Sequence, residues 1–212
     1  MVITVGNTKG GCGKSTIAVN LAVEFAKEKK IILVDSDVQA SSMSFRAKRE
    51  KDDIQSIAIN TPTLHKDLKV LNENKIVIVD VGGRDSTVFR SAILAADLLI
   101  IPVLPSLYDV WALEDTLVVL REAKVYKENL KAYVLLNQLL SNTWLAKDVT
   151  EHIQKLKDEN EIELMGTMIY SRQVYKNCIT AGLGVTEYPG APEKAIQEIQ
   201  GLHTEICNIL HI

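Results

Sequence analysis

Residues 2–16 read VITVGNTKGGCGKST, and the character of the chain changes twice within them. The stretch starts as a short apolar run, Val2, Ile3, Thr4 and Val5, which predicts a buried strand. It becomes a glycine-dense loop with Gly10, Gly11 and Gly13, and it ends in Lys14, Ser15 and Thr16, where a helical pattern opens. Glycines let backbone N–H groups turn inward and line up on an anion. A helix start adds unpaired N–H groups and partial positive charge. Strand, glycine loop and Gly-Lys-Ser at a helix start together predict a phosphate-binding loop. In such a loop Lys14 reaches the β- and γ-phosphates and the Ser15 hydroxyl holds Mg2+.

Outward from the loop, apolar runs alternate with helical stripes. Ile17, Val19, Leu21, Ala22, Phe25 and Ala26 form the first stripe, closed by the charged run 27–30. Residues 31–34, 76–79 and 98–103 are continuous apolar runs, as strands covered on both faces require. Weaker strand patterns occupy 54–59, 132–136 and 162–169. Helices are expected after residue 44, from Thr61 with Pro62 in the first helical position, and over 86–96, 107–126, 144–156 and 192–212. The stretch 170–183 is mixed. This alternation predicts an α/β fold: a doubly wound, mainly parallel sheet flanked by helices, as one domain over residues 1–212. Ligands of such sheets bind beyond the carboxyl ends of the strands. The glycine loop, Asp35, Asp37, Asp80, Pro105 and Asn137 all fall at those ends.

Composition narrows the function classes. A chain of 212 residues that is 47% hydrophobic can bury one sizeable core. A net charge of −3 argues against a dedicated nucleic-acid-binding domain and leaves room for a local basic patch. No uninterrupted apolar run is long enough to span a bilayer, and no basic-then-apolar leader precedes Val2. Cys12, Cys178 and Cys207 are odd in number and far apart, which suggests a reducing cytosol and no disulfide framework. Cys12 fills the variable slot of the loop and reads as filler, not as a nucleophile.

The strict phosphate-loop pattern wants a glycine where Thr8 stands, and a second lysine, Lys9, precedes the glycines instead. Lys-Gly-Gly-x-Gly-Lys-Ser-Thr resembles the deviant Walker A motif of the ParA/MinD ATPases. Asp80, closing an apolar strand before Gly82 and Gly83, matches a Walker B position. Asp35-Ser36-Asp37-Val38-Gln39 resembles the family's Walker A′ segment, usually Asp-x-Asp-Pro-Gln, with Val38 in place of proline. Residues 100–106, IIPVLPS, followed by Asp109, look like the strand end and loop of small ParA-type plasmid partition ATPases. Asn137 resembles that family's base-contacting asparagine.

The resemblance implies ATP and Mg2+ as cofactors and a homodimer formed with ATP. Lys9, Gly10, Gly11, Cys12, Gly13, Lys14, Ser15, Thr16 and Asn137 would bind the nucleotide, with Lys9 acting across to the second subunit. Ser15, Asp35 and Asp80 would hold the metal. Lys9, Lys14 and Asp37 would serve hydrolysis, Asp37 by orienting the attacking water. It further implies slow, partner-stimulated turnover that drives DNA segregation. Nonspecific DNA would be bound in the ATP state, with a separate centromere-binding adaptor protein. Cytoplasmic, nucleoid-associated localisation is expected, without a preceding DNA-reading extension. Arg46, Lys48, Arg49, Lys51, Arg172 and Lys176, with Lys147, are the candidate DNA contacts, although each could equally belong to a solvated helix face.

Alternatives are weaker. Gly11-x-Gly13 with Asp35 imitates a dinucleotide fingerprint, but Thr16 stands at its third glycine and Lys14, Ser15 and Asp80 would have no role. Metal-cluster carriers need a Cys-x-x-Cys pair, which is absent from the sequence. A MinD-like membrane tail needs a basic amphipathic end, whereas residues 192–212 carry Lys194 beside Glu193, Glu198 and Glu205. No stable membrane association is therefore expected. A nucleotide-gated positioning switch for a protein or membrane-associated cargo, without DNA, remains the second reading.

Overall fold

The computed structural model describes residues 1–73, 75–140 and 144–212. In chain order the elements are β1 (Val2–Val5), α1 (Lys14–Phe25), β2 (Ile31–Ser36), α2 (Ser41–Lys48), β3 (Ile54–Ala58), α3 (Leu64–Leu71), β4 (Ile76–Val81), α4 (Thr87–Ala95), β5 (Leu98–Val103), α5 (Leu107–Lys124), β6 (Lys131–Leu136), α6 (Trp144–Asn160), β7 (Glu163–Leu164), α7 (Val174–Thr180) and α8 (Glu193–Leu210). The strands make one parallel sheet in the order β3-β2-β4-β1-β5-β6-β7. The expected doubly wound α/β architecture is thus present.

Every residue of β1, β2, β4 and β5 is buried, which is why these strands read as unbroken apolar runs. Alternate side chains divide between the two faces. Val2, Val34, Val77, Val79, Leu99 and Ile101 meet α3, α4, α5 and α6. Ile3, Val5, Leu33, Ile78, Leu98 and Ile100 meet α1, α7 and α8. A fully buried side chain such as Ile78 contributes about 2–3 kcal/mol relative to exposure. β1 lies between β4 and β5, so the loop that leaves it opens at the centre of the sheet's carboxyl edge.

Two boundaries differ from expectation. The seventh strand is confined to Glu163–Leu164. Beyond it, the Glu205 carboxylate of α8 takes the backbone N–H groups of Gly166 (2.7 Å) and Thr167 (2.9 Å), the second of which a longer strand would need for its ladder with β6. The third helix starts at Leu64, and Pro62 lies in the turn before it. The closing helix is a core element, burying Ala195, Ile199, Leu202 and Ile206.

A charged clamp fastens the end of α2. Arg49 is buried, and its guanidinium donates to both Asp53 carboxylate oxygens (2.7 and 2.6 Å), to Glu187 (2.8 and 3.1 Å) and to the Gly182 carbonyl (3.1 Å). Lys51 donates to the same Glu187 carboxylate (2.6 Å). The approach requires glycine at 182, where φ is +71° and a Cβ would come within 2.4 Å of the Lys48 carbonyl oxygen.

Candidate functional site

The glycine loop sits between the amino end of α1 and two side-chain amides from the end of β6. Gly13, with φ +90°, is the N-cap of α1, and no side chain caps that helix start. Asn137 Nδ2 donates to the Cys12 carbonyl (2.7 Å) and Gln138 Nε2 to the Gly11 carbonyl (3.2 Å). Both bonds draw loop carbonyls toward β6. A Cβ at Gly13 would meet Asn137 Nδ2 at 2.3 Å, so the third loop glycine is required by close approach as well as by its dihedral.

Lys14 is buried at the base of the loop, where its ammonium donates to the Lys9 carbonyl (2.8 Å). The Cys12 thiol is buried too and donates to the same carbonyl (3.4 Å). Burial pushes the Cys12 thiol up, more than the Lys14 charge pulls it down, so it stays protonated and inert. Lys9 points toward the first turn of α5 and pairs with Asp109 (2.8 Å). Its own N–H is held by Asn7 (2.9 Å), which also donates to the Pro102 carbonyl (2.8 Å).

The carboxylates meet at the ends of β2 and β4, where Asp35 is the direct register partner of Asp80. Asp35 accepts from the Asp37 N–H (3.0 Å) and the Met43 N–H (2.9 Å), and so shapes the loop into α2. Asp80 is fully buried; one oxygen accepts from the Ser42 hydroxyl (2.5 Å), while Oδ1 has no hydrogen-bond partner. Burial pushes its pKa up to about 7, against hydrogen bonds from Ser42 and Ser15, with Asp35 and Asp37 adding to the rise. Asp37 lies against Gly82, whose added Cβ would be 3.4 Å from the carboxylate carbon. Val38, where the family pattern has proline, is 88% exposed.

This donor set fits Mg2+. A buried carboxylate with a free oxygen, a neighbouring carboxylate and a hydroxyl supply hard oxygen ligands of low multiplicity. Mg2+ characteristically keeps waters and takes phosphate oxygens for the rest. Among the described residues no group of three or more His, Cys, Asp or Glu side chains gathers as a metal centre.

Gly83 packs onto the loop: a Cβ there would stand 2.9 Å from Gly10 Cα and 3.0 Å from Lys14 Nζ. Beside it opens a cavity of about 520 Å3 whose walls include Thr8, Lys9, Arg84, Asp85 and Asp115.

The candidate DNA contacts are scattered in state. Arg49 is no surface cation, because the clamp has buried it. Arg46 pairs with Asp52 (2.9 Å), Lys51 with Glu187, and Arg172 with Glu198 (2.6 Å). Lys48 and Lys176 are exposed and without an ion pair among the described residues. The side chain of Lys147 lies outside the described residues.

Three contacts are visible only in the folded chain. Ser42 binds Asp80 from 38 positions away and Gln138 reaches Gly11 from 127. Asp109, noted in sequence beside the proline segment, proves to be the partner of Lys9. Gln138 had one available signal, its adjacency to Asn137.

Comparison with known proteins gives the family and the fold. Residues 3–181 match the family model of the CobQ/CobB/MinD/ParA nucleotide binding domain. The chain is 25% identical over 209 residues to maintenance of carboxysome distribution protein A of Halothiobacillus neapolitanus, covering 96% of this chain and 95% of that protein. It is 27% identical over 178 residues to protein ParA of Rhizobium radiobacter, covering 82% of this chain and 80% of that one. Among solved structures, a plasmid partition protein of Borrelia burgdorferi bound to AMPPNP superposes with a TM-score of 0.76 at 19% identity, over 98% of both chains.

Proposed function

Because the chain belongs to the CobQ/CobB/MinD/ParA nucleotide-binding domain family, we propose that it is an ATPase of the ParA type. It dimerises around ATP and Mg2+, hydrolyses ATP to ADP and phosphate, and positions a cargo by cycling between the two states. The observation that carries this reading is the buried Asp80 carboxylate, with its unpartnered oxygen, in register with Asp35 at the mouth of the glycine loop.

Each residue has a role on this reading. The first N–H groups of α1 and the loop of Gly10, Gly11, Cys12 and Gly13 bind phosphate oxygens. Lys14 exchanges its bond to the Lys9 carbonyl for the β- and γ-phosphates. Ser15, Asp35 and Asp80 hold Mg2+, which when bound neutralises charge on the phosphate oxygens. Asp37, steadied against Gly82, orients the attacking water. Asn137, now spent on the Cys12 carbonyl, borders the space where adenine would lie, and Thr16 continues the helix start. Lys9 leaves Asp109 and reaches the nucleotide of a second copy.

DNA segregation is the first choice of cargo, with DNA held nonspecifically by the ATP dimer and an adaptor protein naming the cargo. Lys48 and Lys176 support it as surface cations without an ion pair among the described residues, and two weak patches become one useful surface in a dimer. A protein cargo without DNA is favoured by two facts: Arg49 and Arg172 are committed to carboxylates, and one relative is named for carboxysome distribution. No helix among the described residues is long and apolar enough to cross a membrane.

The decisive experiment is mass by light scattering with ATP, with ADP and without nucleotide, using wild type, Lys14→Ala, Asp37→Ala and Lys9→Ala. Lys14→Ala should bind no nucleotide. Asp37→Ala should bind and dimerise without hydrolysing, and Lys9→Ala should do neither step after binding. A protein that stays monomeric with ATP in the Asp37→Ala form refutes the dimer. Retention on random DNA that depends on ATP and falls steeply with salt selects segregation; equal retention with ADP removes it.

A further inference from the structure

We propose that Arg84 is a further catalytic residue of this site, its guanidinium binding the γ-phosphate of the nucleotide held by the glycine loop of the same chain. The proposal rests on the ATPase reading above.

Position is the first argument. Arg84 directly follows Gly83, the residue whose backbone lies against Gly10 and the Lys14 ammonium, so it starts one residue from the closed end of the phosphate cradle. It lines the same cavity as Thr8 and Lys9, the two residues that lead into the loop glycines.

Availability is the second. Two nearby acidic groups are already engaged: Asp85 accepts two bonds from Arg90 (2.7 Å each) and Asp109 is paired with Lys9. Arg84 is exposed and has no hydrogen bond or ion pair among the described residues. Asp115, in the opposite wall, is the one cavity carboxylate that is likewise without an ion pair among them. An exposed arginine without an ion pair among the described residues, in a cavity that Lys9 also lines, is placed for an anion that arrives from outside.

Need is the third. A triphosphate brings several negative charges to a cradle whose own cation is Lys14, while Lys9 is tied to Asp109 in the single chain. In hydrolysis the water oxygen bonds to the γ-phosphorus as the bond from that phosphorus to the ADP oxygen breaks. The water proton ends on the released phosphate or in solvent, and charge gathers on the γ and bridging oxygens. A planar guanidinium meets two of those oxygens at once, which an ammonium cannot. Donors aimed at developing charge are typically worth about 10²–10³ in rate.

The test measures fluorescent ATP and ADP binding, and phosphate release, for wild type, Arg84→Ala, Arg84→Lys and Asp115→Asn. Binding is read at a dilution where light scattering gives a monomer. Arg84→Ala should weaken ATP about tenfold, leave ADP within about twofold, and lower turnover about a hundredfold. Arg84→Lys should recover much of the ATP affinity and little of the turnover. Arg84 is exposed, so an unchanged thermal midpoint is expected for both variants. Equal change, or no change, in ATP and ADP affinity in a protein that still binds both overturns the proposal alone. So does an effect seen only in the dimer, or an Asp115→Asn variant that reproduces Arg84→Ala. A wild-type protein that binds neither nucleotide overturns the ATPase reading together with this one.

Discussion

Asp80 and Arg49 stand near opposite ends of α2. Both are buried, and the chain treats them in opposite ways. Arg49 is surrounded by acceptors: Asp53, Glu187 and the Gly182 carbonyl use its donors. Burial would raise the Glu187 carboxyl, but hydrogen bonds from Arg49 and Lys51 outweigh it and hold it at about 2. Asp80 receives the Ser42 hydroxyl on one oxygen and no hydrogen bond on the other, has two further carboxylates for neighbours, and is pushed up to about 7. A buried charge supplied with partners holds structure together. One left short of them is a candidate to bind something the chain does not itself contain.

The sharpest way to break this comparison is at the clamp. Arg49→Met leaves two acidic groups facing each other without their cation, and should lower unfolding stability by about 3–5 kcal/mol in urea titrations. Nucleotide affinity of the folded fraction should be unchanged; a loss of ATP binding at full stability would mean that Arg49 serves the site. A smaller effect comes from acid. The Glu187 carboxyl has its ordinary value of 4.5 in the unfolded chain and about 2 when folded, so its contribution is complete above pH 4.5 and disappears as pH falls toward 2. Allowing for partial solvent access, about 1–2 kcal/mol should be lost over that window, and the loss should vanish in Glu187→Gln. The smallest effect is at the other end. Asp80→Asn removes an incompletely satisfied carboxylate and should raise the stability of the nucleotide-free protein by about 1 kcal/mol. The same change should abolish the additional thermal protection that Mg2+ gives with ATP. A variant destabilised as severely as Arg49→Met would erase the distinction between the two buried charges.

What could be read from the sequence follows the same division. The glycine loop is contiguous, so its strand, turn and helix start are visible in order. Asp35 and Asp80 each close an apolar run, which places them at strand ends before any fold is known. Arg49 misleads, because among Arg46, Lys48 and Lys51 it reads as one more solvated cation. Its reversal depends on Glu187, which is 138 positions away. Asn137 was legible as a strand-end amide, but its bond to the Cys12 carbonyl spans 125 positions and exists only once β6 has joined β5. The short β7 has the same origin: residues 162–169 carry enough apolar character for a longer strand, and a carboxylate on α8 takes the Thr167 N–H that its ladder would need.

The helix behind the glycine loop has its own consequence. From Ile17 to Phe25 every residue of α1 is buried, and Phe25 meets His203 of α8 edge-on, with ring centroids 4.4 Å apart. Such a helix behaves as an anvil: it cannot slide or tilt without dislodging the sheet on one side and α8 on the other. The give around the loop therefore lies in the partly exposed stretches 37–40 and 82–86 that flank it.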